Sequence, residues 1–292
     1  MTAFRNFALL VPVLLNVGLI HAQTPTDISA RLTFTTIDVP GAGYTGVFGI
    51  NIAGDMVGNY GQSINGDSHG FLCSNGSFTY FDYPGQSVTA PSGINDFGVI
   101  VGYASKTPGA TQVFGFLYDG ITYTVLRAPG NPATFASAIN NAGWVVGGAG
   151  TVYNTWGFEM RNGRYKPINF PGGNIYARAR GINNLGQVVG WADSGTYLYS
   201  GGKFKLINFP GADRTVALGI NDNGVIVGWY LTGSVGSGFA FRNGKYISFN
   251  YPGAVFTAGV GVNTSGQIVG QYQLPDNTYH GFVTSPIAAA DF

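Results

Sequence analysis

The stretch that decides the fold is Gly219-Ile-Asn-Asp-Asn-Gly-Val-Ile-Val-Gly228. The same ten-residue phrase recurs at Gly49–Gly58, Gly93–Gly102, Ala138–Gly147, Gly181–Gly190 and Gly261–Gly270, six copies at a period of 38–45 residues. A short apolar run, a turn built on Asn and Gly, and a second apolar run specify a β-hairpin with a fixed loop. Repetition at this period points to a solenoid or a propeller.

Working outward, three further landmarks keep their order around every copy. Ahead of it lies a strand led by an aromatic residue six positions before a proline: Phe34…Pro40, Phe78…Pro84, Tyr123…Pro129, Tyr165…Pro171, Phe204…Pro210 and Tyr246…Pro252. Behind it lies a Gly-aromatic pair: Gly70-Phe71, Gly115-Phe116, Gly157-Phe158, Gly238-Phe239 and Gly281-Phe282, with Thr196-Tyr197 as the degenerate copy. Between that aromatic and the next strand come tight turns such as Asn162-Gly163 and Asn243-Gly244, a strong hairpin signal. The step from the aromatic to the following proline is thirteen in all five countable cases, and the step from proline to phrase is nine, or ten at Pro171. Almost all length variation falls in the segment between the phrase and the Gly-aromatic pair, from six residues (Gly190 to Thr196) to thirteen (Gly102 to Gly115).

Each unit therefore holds four strands: A and B in the hairpin phrase, C at the Gly-aromatic pair, and D ending in Pro-Gly. Four short antiparallel strands per repeat predict an all-β, six-bladed β-propeller of four-stranded blades. The chain begins with an orphan D strand, Thr33–Pro40, and ends after an orphan C strand, Gly281–Thr284. Ring closure follows if the N-terminal strand completes the last blade, which protects the sheet edges. Pro167 within a D strand fits an outermost position, where a missing N–H is tolerated. A β-solenoid is the alternative, but it needs neither a split unit nor tight hairpins.

Residues 1–22 read as a signal peptide: Arg5 gives a positive start, Phe7–Ile20 is mostly apolar, and Ala22 supplies the small residue before the cut. The domain plan is then a lead-in at 23–32, the propeller at 33–286 and a tail at 287–292, in a secreted protein. Later segments are too short and polar for a membrane span. The chain carries 14 Lys and Arg against 13 Asp and Glu, and loss of Arg5 leaves the mature chain neutral. That gives no electrostatic reason to expect nucleic acid as a partner. The lone Cys73 forms no internal disulfide and occupies a strand C position filled elsewhere by Tyr118, Met160, Tyr199 and Phe241. It reads as a buried filler.

The repeated Gly-Ile-Asn-x-x-Gly-x-Val-Val-Gly phrase followed by a Gly-Phe pair resembles the bacterial extracellular repeats of the HAF family. The resemblance covers residues 33–284, with His69-Gly70-Phe71 and His280-Gly281-Phe282 nearest to the family's His-Ala-Phe triplet. Phe114, Trp156, Gly195 and Ser237 replace the His in the middle copies. The family implies export and a repeat fold, and no defined activity.

Turns A–B and C–D share one face of a propeller, and loops D–A and B–C share the other, where variable loops place binding residues. Aromatics gather at the start of the B–C loops: Tyr60, Tyr103, Trp191, Trp229, Tyr230 and Tyr272. Such rings either stack on sugar faces or pack between blades. Arg178, Arg180, Asp193, Asp213 and Arg214 break the repeat, so blade architecture does not account for them. Trp191, Trp229, Tyr230, Tyr103, Arg178, Arg180 and Arg214 are accordingly the candidate ligand-binding residues, suited to an acidic or neutral glycan or another extracellular polymer. A polysaccharide lyase or hydrolase would need paired carboxylates, for which Asp67, Asp193, Asp213 and Asp276 are available. A purely structural exported ring is the third reading. His69 and His280 fall in equivalent positions of blades that closure makes neighbours, but two imidazoles without a third ligand make a poor metal site. No cofactor motif and no nucleophile-base pair stands out. The Asp or Asn two residues before each proline reads as a cap on the Pro-Gly turn.

Overall fold

The structure, a computed structural model, describes residues 24–151, 154–170, 176–193 and 195–292. The leader expected at residues 1–22 and the Pro171–Gly172 turn lie outside them. Each copy of the phrase forms the A–B hairpin, with strand A at Tyr44–Ile50, Val88–Ile94, Ala133–Ile139, Ala177–Ile182, Arg214–Ile220 and Phe256–Val262. Every A–B turn closes through the phrase Gly in the left-handed region, from Gly186 at φ 72° to Gly266 at 90°. Asn-Gly pairs form three of the C–D turns, as at Asn75 (φ 49°) and Gly76 (φ 78°), and Asp119-Gly120 and Gly201-Gly202 form two others.

Strands A to D pair in order within six blades, with D outermost. The six Gly-aromatic rings, Phe71, Phe116, Phe158, Tyr197, Phe239 and Phe282, are each 0% exposed and form the blade cores. Each presses on the last Gly of its own phrase, and the approach is close. A Cβ on Gly58 would fall 2.8 Å from Phe71 and closer still to the Gly46 carbonyl, so no larger residue fits. The D-strand aromatic then meets the core ring edge-on, as Phe78 meets Phe71 at 5.4 Å and 68° and Tyr165 meets Phe158 at 5.0 Å and 65°. Such pairs add about 0.5–1.5 kcal/mol beyond area burial. This accounts for the aromatic six residues ahead of each proline.

The ring closes by the split blade. Phe34–Ile37 pairs antiparallel with Gly281–Thr284, and Phe34 meets Phe282 edge-on at 5.6 Å and 65°, the contact that D strands make in other blades. Asp38 accepts from or shares a proton with His280 Nδ1 at 2.8 Å, tying the two ends of the chain. The lead-in and the tail also engage the ring. Thr26–Asp27 adds a parallel strand outside Ile247–Ser248, Ile28 and Ile287 enter one core cluster, and Arg31 pairs with Asp291 at 2.8 Å. Blade 5 thus has a covered outer strand that its sequence does not announce.

The Pro-Gly turns depart from expectation in their cap. The backbone N–H before the proline donates to a Thr six residues later: Val39 to Thr45, Tyr83 to Thr89, Ala128 to Thr134, Phe209 to Thr215 and Tyr251 to Thr257, at 2.9–3.1 Å. Asp38 and Asp82 instead pair with His280 and His69, at 2.8 and 2.9 Å. These are structural histidine contacts on neighbouring blades. Cys73 is 1% exposed in the blade 1 core, and burial pushes its thiol pKa up.

The phrase Asn does two jobs at once. Its side-chain oxygen accepts the N–H four residues on, closing its own hairpin, as with Val99, Trp144, Gln187, Val225 and Gln267 at 2.9–3.0 Å. Its amide donates to the same Asn's backbone carbonyl in the next blade: Asn95 to Asn140 (3.2 Å), Asn140 to Asn183 (3.1 Å), Asn183 to Asn221 (3.0 Å), Asn221 to Asn263 (2.8 Å) and Asn263 to Asn51 (3.1 Å). At Asn51 the amide turns to Asp55 within its own hairpin, at 3.0 Å.

Two outcomes are expected. Asn140→Ala should cost about 2–4 kcal/mol in urea denaturation, since three hydrogen bonds of a buried amide are lost, and Asn51→Ala should cost about 1 kcal/mol less because it makes no inter-blade bond. Deleting residues 23–40 should expose the Gly281–Thr284 strand and cause aggregation or unfolding; a monomer with an unchanged melting temperature would contradict the closure.

Candidate functional site

Blade 4 breaks the repeat. Its step from the phrase to the Gly-aromatic position is the shortest, six residues, so both strand B (Val188–Ala192) and the arm of strand C (Gly195–Ser200) that pairs with it are short. In five of the junctions the start of strand C bridges in parallel to strand A of the next blade, as Gly236 to Phe256 and Tyr279 to Tyr44. At the junction of blades 4 and 5 the Thr196 hydroxyl reaches the Thr215 carbonyl, and two cavities open beside it. One, of about 250 Å³, is lined by Arg180, Trp191, Arg214, Trp229, Phe256 and neighbours. The other, of about 400 Å³, adds Asp193 and Asp213 to Trp191 and Arg214.

Trp191 and Trp229 lie within the B strands rather than in the loops after them, and line one cavity at the junction. The Arg214 guanidinium sits between them, 5.8 Å from the Trp191 ring and 5.4 Å from Trp229. Trp191 stacks on Tyr176 at 5.3 Å and 27°, and Trp229 meets Phe256 at 5.5 Å and 64°. Arg178 lies 4.2 Å over Phe135 and 5.3 Å from Tyr176, and Phe135 meets Tyr103 at 5.2 Å. Tyr103, Phe135, Arg178, Tyr176, Trp191, Arg214, Trp229 and Phe256 therefore form one unbroken arc of rings and guanidiniums running from blade 2 to blade 6. Each cation–ring contact contributes about 0.5–1 kcal/mol where exposed. The arc contains two cations and no acid. Asp213 sits at its outer wall, accepting the Gly233 N–H at 2.7 Å.

Six of the seven candidate residues thus meet: five lie on the arc, and Arg180 lies directly beneath it, in the cavity shared with Trp191 and Trp229. Tyr230 does not. Adjacent residues of a strand point to opposite faces, and Tyr230 stacks on Phe209 at 3.6 Å and 8°. Tyr272 does the same on Tyr251, at 3.6 Å and 4°. That is a repeated packing device on the residue before the Pro-Gly turn, so Tyr230 leaves the candidate site. Phe135, Tyr176 and Phe256 were missed because aromatics were sought only at the start of the B–C loops, and these three lie on or just before strand A.

Among the described residues no group of three or more His, Cys, Asp or Glu is placed to hold a metal, and no helix is long and apolar enough to cross a membrane. No family model matches the chain, and neither does any curated protein. Several solved structures are similar in fold. Regucalcin, a calcium-binding protein from Agrobacterium tumefaciens, gives a TM-score of 0.55 at 12% identity over 90% of this chain and 97% of that one. A gluconolactonase from Xanthomonas campestris gives 0.51 at 9% identity, over 83% and 87%. TolB from Acinetobacter baumannii gives 0.51 at 13% identity, over 82% and 63%.

The packing difference between the two kinds of ring is measurable. Tyr230→Ala should lose about 2–3 kcal/mol of stability, as a stacked core-facing ring, while Trp191→Ala should lose about 1 kcal/mol or less for want of a filled pocket. Equal, large losses in thermal melts of both variants would remove Trp191 from the site. At these identities the structural neighbours establish the architecture alone: the chain is a six-bladed β-propeller.

Proposed function

We propose that the chain is an exported propeller that binds an extended glycan or similar extracellular polymer along the blade 2–6 arc. The carrying observation is the continuous run of rings and guanidiniums centred on Trp191, Arg214 and Trp229. Flat apolar faces suit the faces of sugar rings, and guanidiniums suit their hydroxyls and carboxylates. The arc's positive charge, on a chain that is otherwise close to neutral, favours an acidic chain over a neutral one. Export rests on the leader-like residues 1–22 and on the resemblance to extracellular HAF repeats.

A second reading, a polysaccharide lyase or hydrolase, draws on one observation: Asp193 and Asp213 line a single cavity with Trp191 and Arg214. A pair of carboxylates flanking a bound sugar is the arrangement glycoside hydrolysis needs.

A glycan array probed with residues 23–292 distinguishes these. Retention of intact acidic oligosaccharide is expected, with Trp191→Ala and Trp229→Ala each weakening it by about 0.5–1.5 kcal/mol, two- to tenfold in Kd. Release of shortened product, lost in Asp193→Asn, would favour the enzyme. Retention unchanged in a Trp191→Ala/Arg214→Ala double variant would overturn both.

A further inference from the structure

Immediately before each copy of the phrase, strand A carries one residue too many for its partner. The register shifts place Phe48, Ser92, Ser137, Arg180, Leu218 and Val260 at these bulges. A bulge re-aims its side chain out of the strand's alternation, and all six line one cavity of about 170 Å³ on the propeller axis. A single water needs only ~10–15 Å³ of such space, so the cavity admits a small organic molecule.

Its lining is divided. Blades 2, 3 and 4 contribute Ser92, Ser137 and Arg180; blades 5, 6 and 1 contribute Leu218, Val260 and Phe48. No acid lines the cavity, and Arg180 makes no hydrogen bond or ion pair with another described residue. Burial, and then the neighbouring Arg178, push its pKa down to about 10, which leaves it charged at neutral pH. Arg180 is part-exposed, so its guanidinium faces the open cavity as a cation without a counter-charge, which favours an anion there. Asn59, also on the cavity wall, holds a buried side-chain oxygen with no partner. The two ends of the channel differ in sign. Asp96 and Asp222 ring the A–B mouth, whereas Arg178 and Arg214 stand on the arc side. An anion is therefore drawn in from the arc.

We propose that the axial cavity is a binding site for a small monocarboxylate with an apolar flank, its carboxylate paired with Arg180 and its hydrocarbon laid against Leu218, Val260 and Phe48. The bulges supply both halves, and the planar guanidinium selects a carboxylate in two-point contact. This site stands whether or not the arc binds a glycan.

The test is a thermal melt and a calorimetric titration of residues 23–292 with sodium butyrate, against 1-butanol and against sodium chloride at matched ionic strength. A saturable rise in melting temperature is expected with butyrate alone. Arg180→Gln removes an unpaired charge, so it should fold, and should weaken butyrate at least tenfold. Arg180→Lys should retain a weaker response. Leu218→Asn, which leaves Arg180 in place, should weaken butyrate and leave acetate nearly unchanged. Equal responses to butyrate and chloride, or to butyrate and butanol, would overturn the proposal. So would an unaltered butyrate affinity in Arg180→Gln, or in Leu218→Asn should Arg180→Gln not fold.

Discussion

One buried amide per blade holds the ring together. The phrase Asn is 3–5% exposed in every blade, and its two polar atoms serve different scales. The oxygen fixes a local turn; the nitrogen fixes the neighbouring blade at five junctions of the described ring. Because the amide sits at the narrow end of each blade, the strands around it must approach very closely. A Cβ on Gly49 would lie 2.9 Å from the Gly93 Cα, and one on Gly219 2.5 Å from the Val260 carbonyl. Small residues at the head of the phrase are the consequence. The bulge just before them admits the side chains that fill the axis.

Much of this was legible. Spacing alone located the strands, the variable loops and the split blade, because the thirteen-residue step joins strands C and D of one blade and the nine-residue step joins strand D to strand A of the next. The core aromatics were legible for the same reason: Phe71 and Phe78 are near in sequence and touch in space. What escaped reading were contacts whose partners lie far apart in the chain, and caps whose residue type gives no sign of them. The Asn looked like a turn former, and nothing near Asn263 announces that its amide reaches Asn51. Thr45, Thr89, Thr134, Thr215 and Thr257 read as ordinary strand residues, although each caps a turn six residues back. The parallel strand at Thr26–Asp27 is two residues long and has no pattern to read.

The candidate site was half legible. Residues that break a repeat are visible in sequence, and Arg178, Arg180 and Arg214 were found that way, while Trp191 and Trp229 stood out among the aromatics at the B–C loops. Which face a side chain takes is a matter of strand parity and of bulges. Tyr230 follows Trp229 and so points away from it, while the bulge at Arg180 turns a guanidinium towards the axis. The same six-fold scaffold therefore carries an asymmetric surface. Blade 4 combines the shortest step from phrase to Gly-aromatic position with Arg178, Arg180, Tyr176 and Trp191, and the junction it leaves uncovered is where the rings and cations converge.

The central claim is that the repeat builds the fold and its single break builds the site. A crystal structure of residues 23–292 soaked with an oligogalacturonate tests it most directly. The account predicts sugar density at one place only, over Trp191, Arg214 and Trp229 at the junction of blades 4 and 5. Density repeated at several equivalent junctions, or found on the A–B face instead, would contradict it.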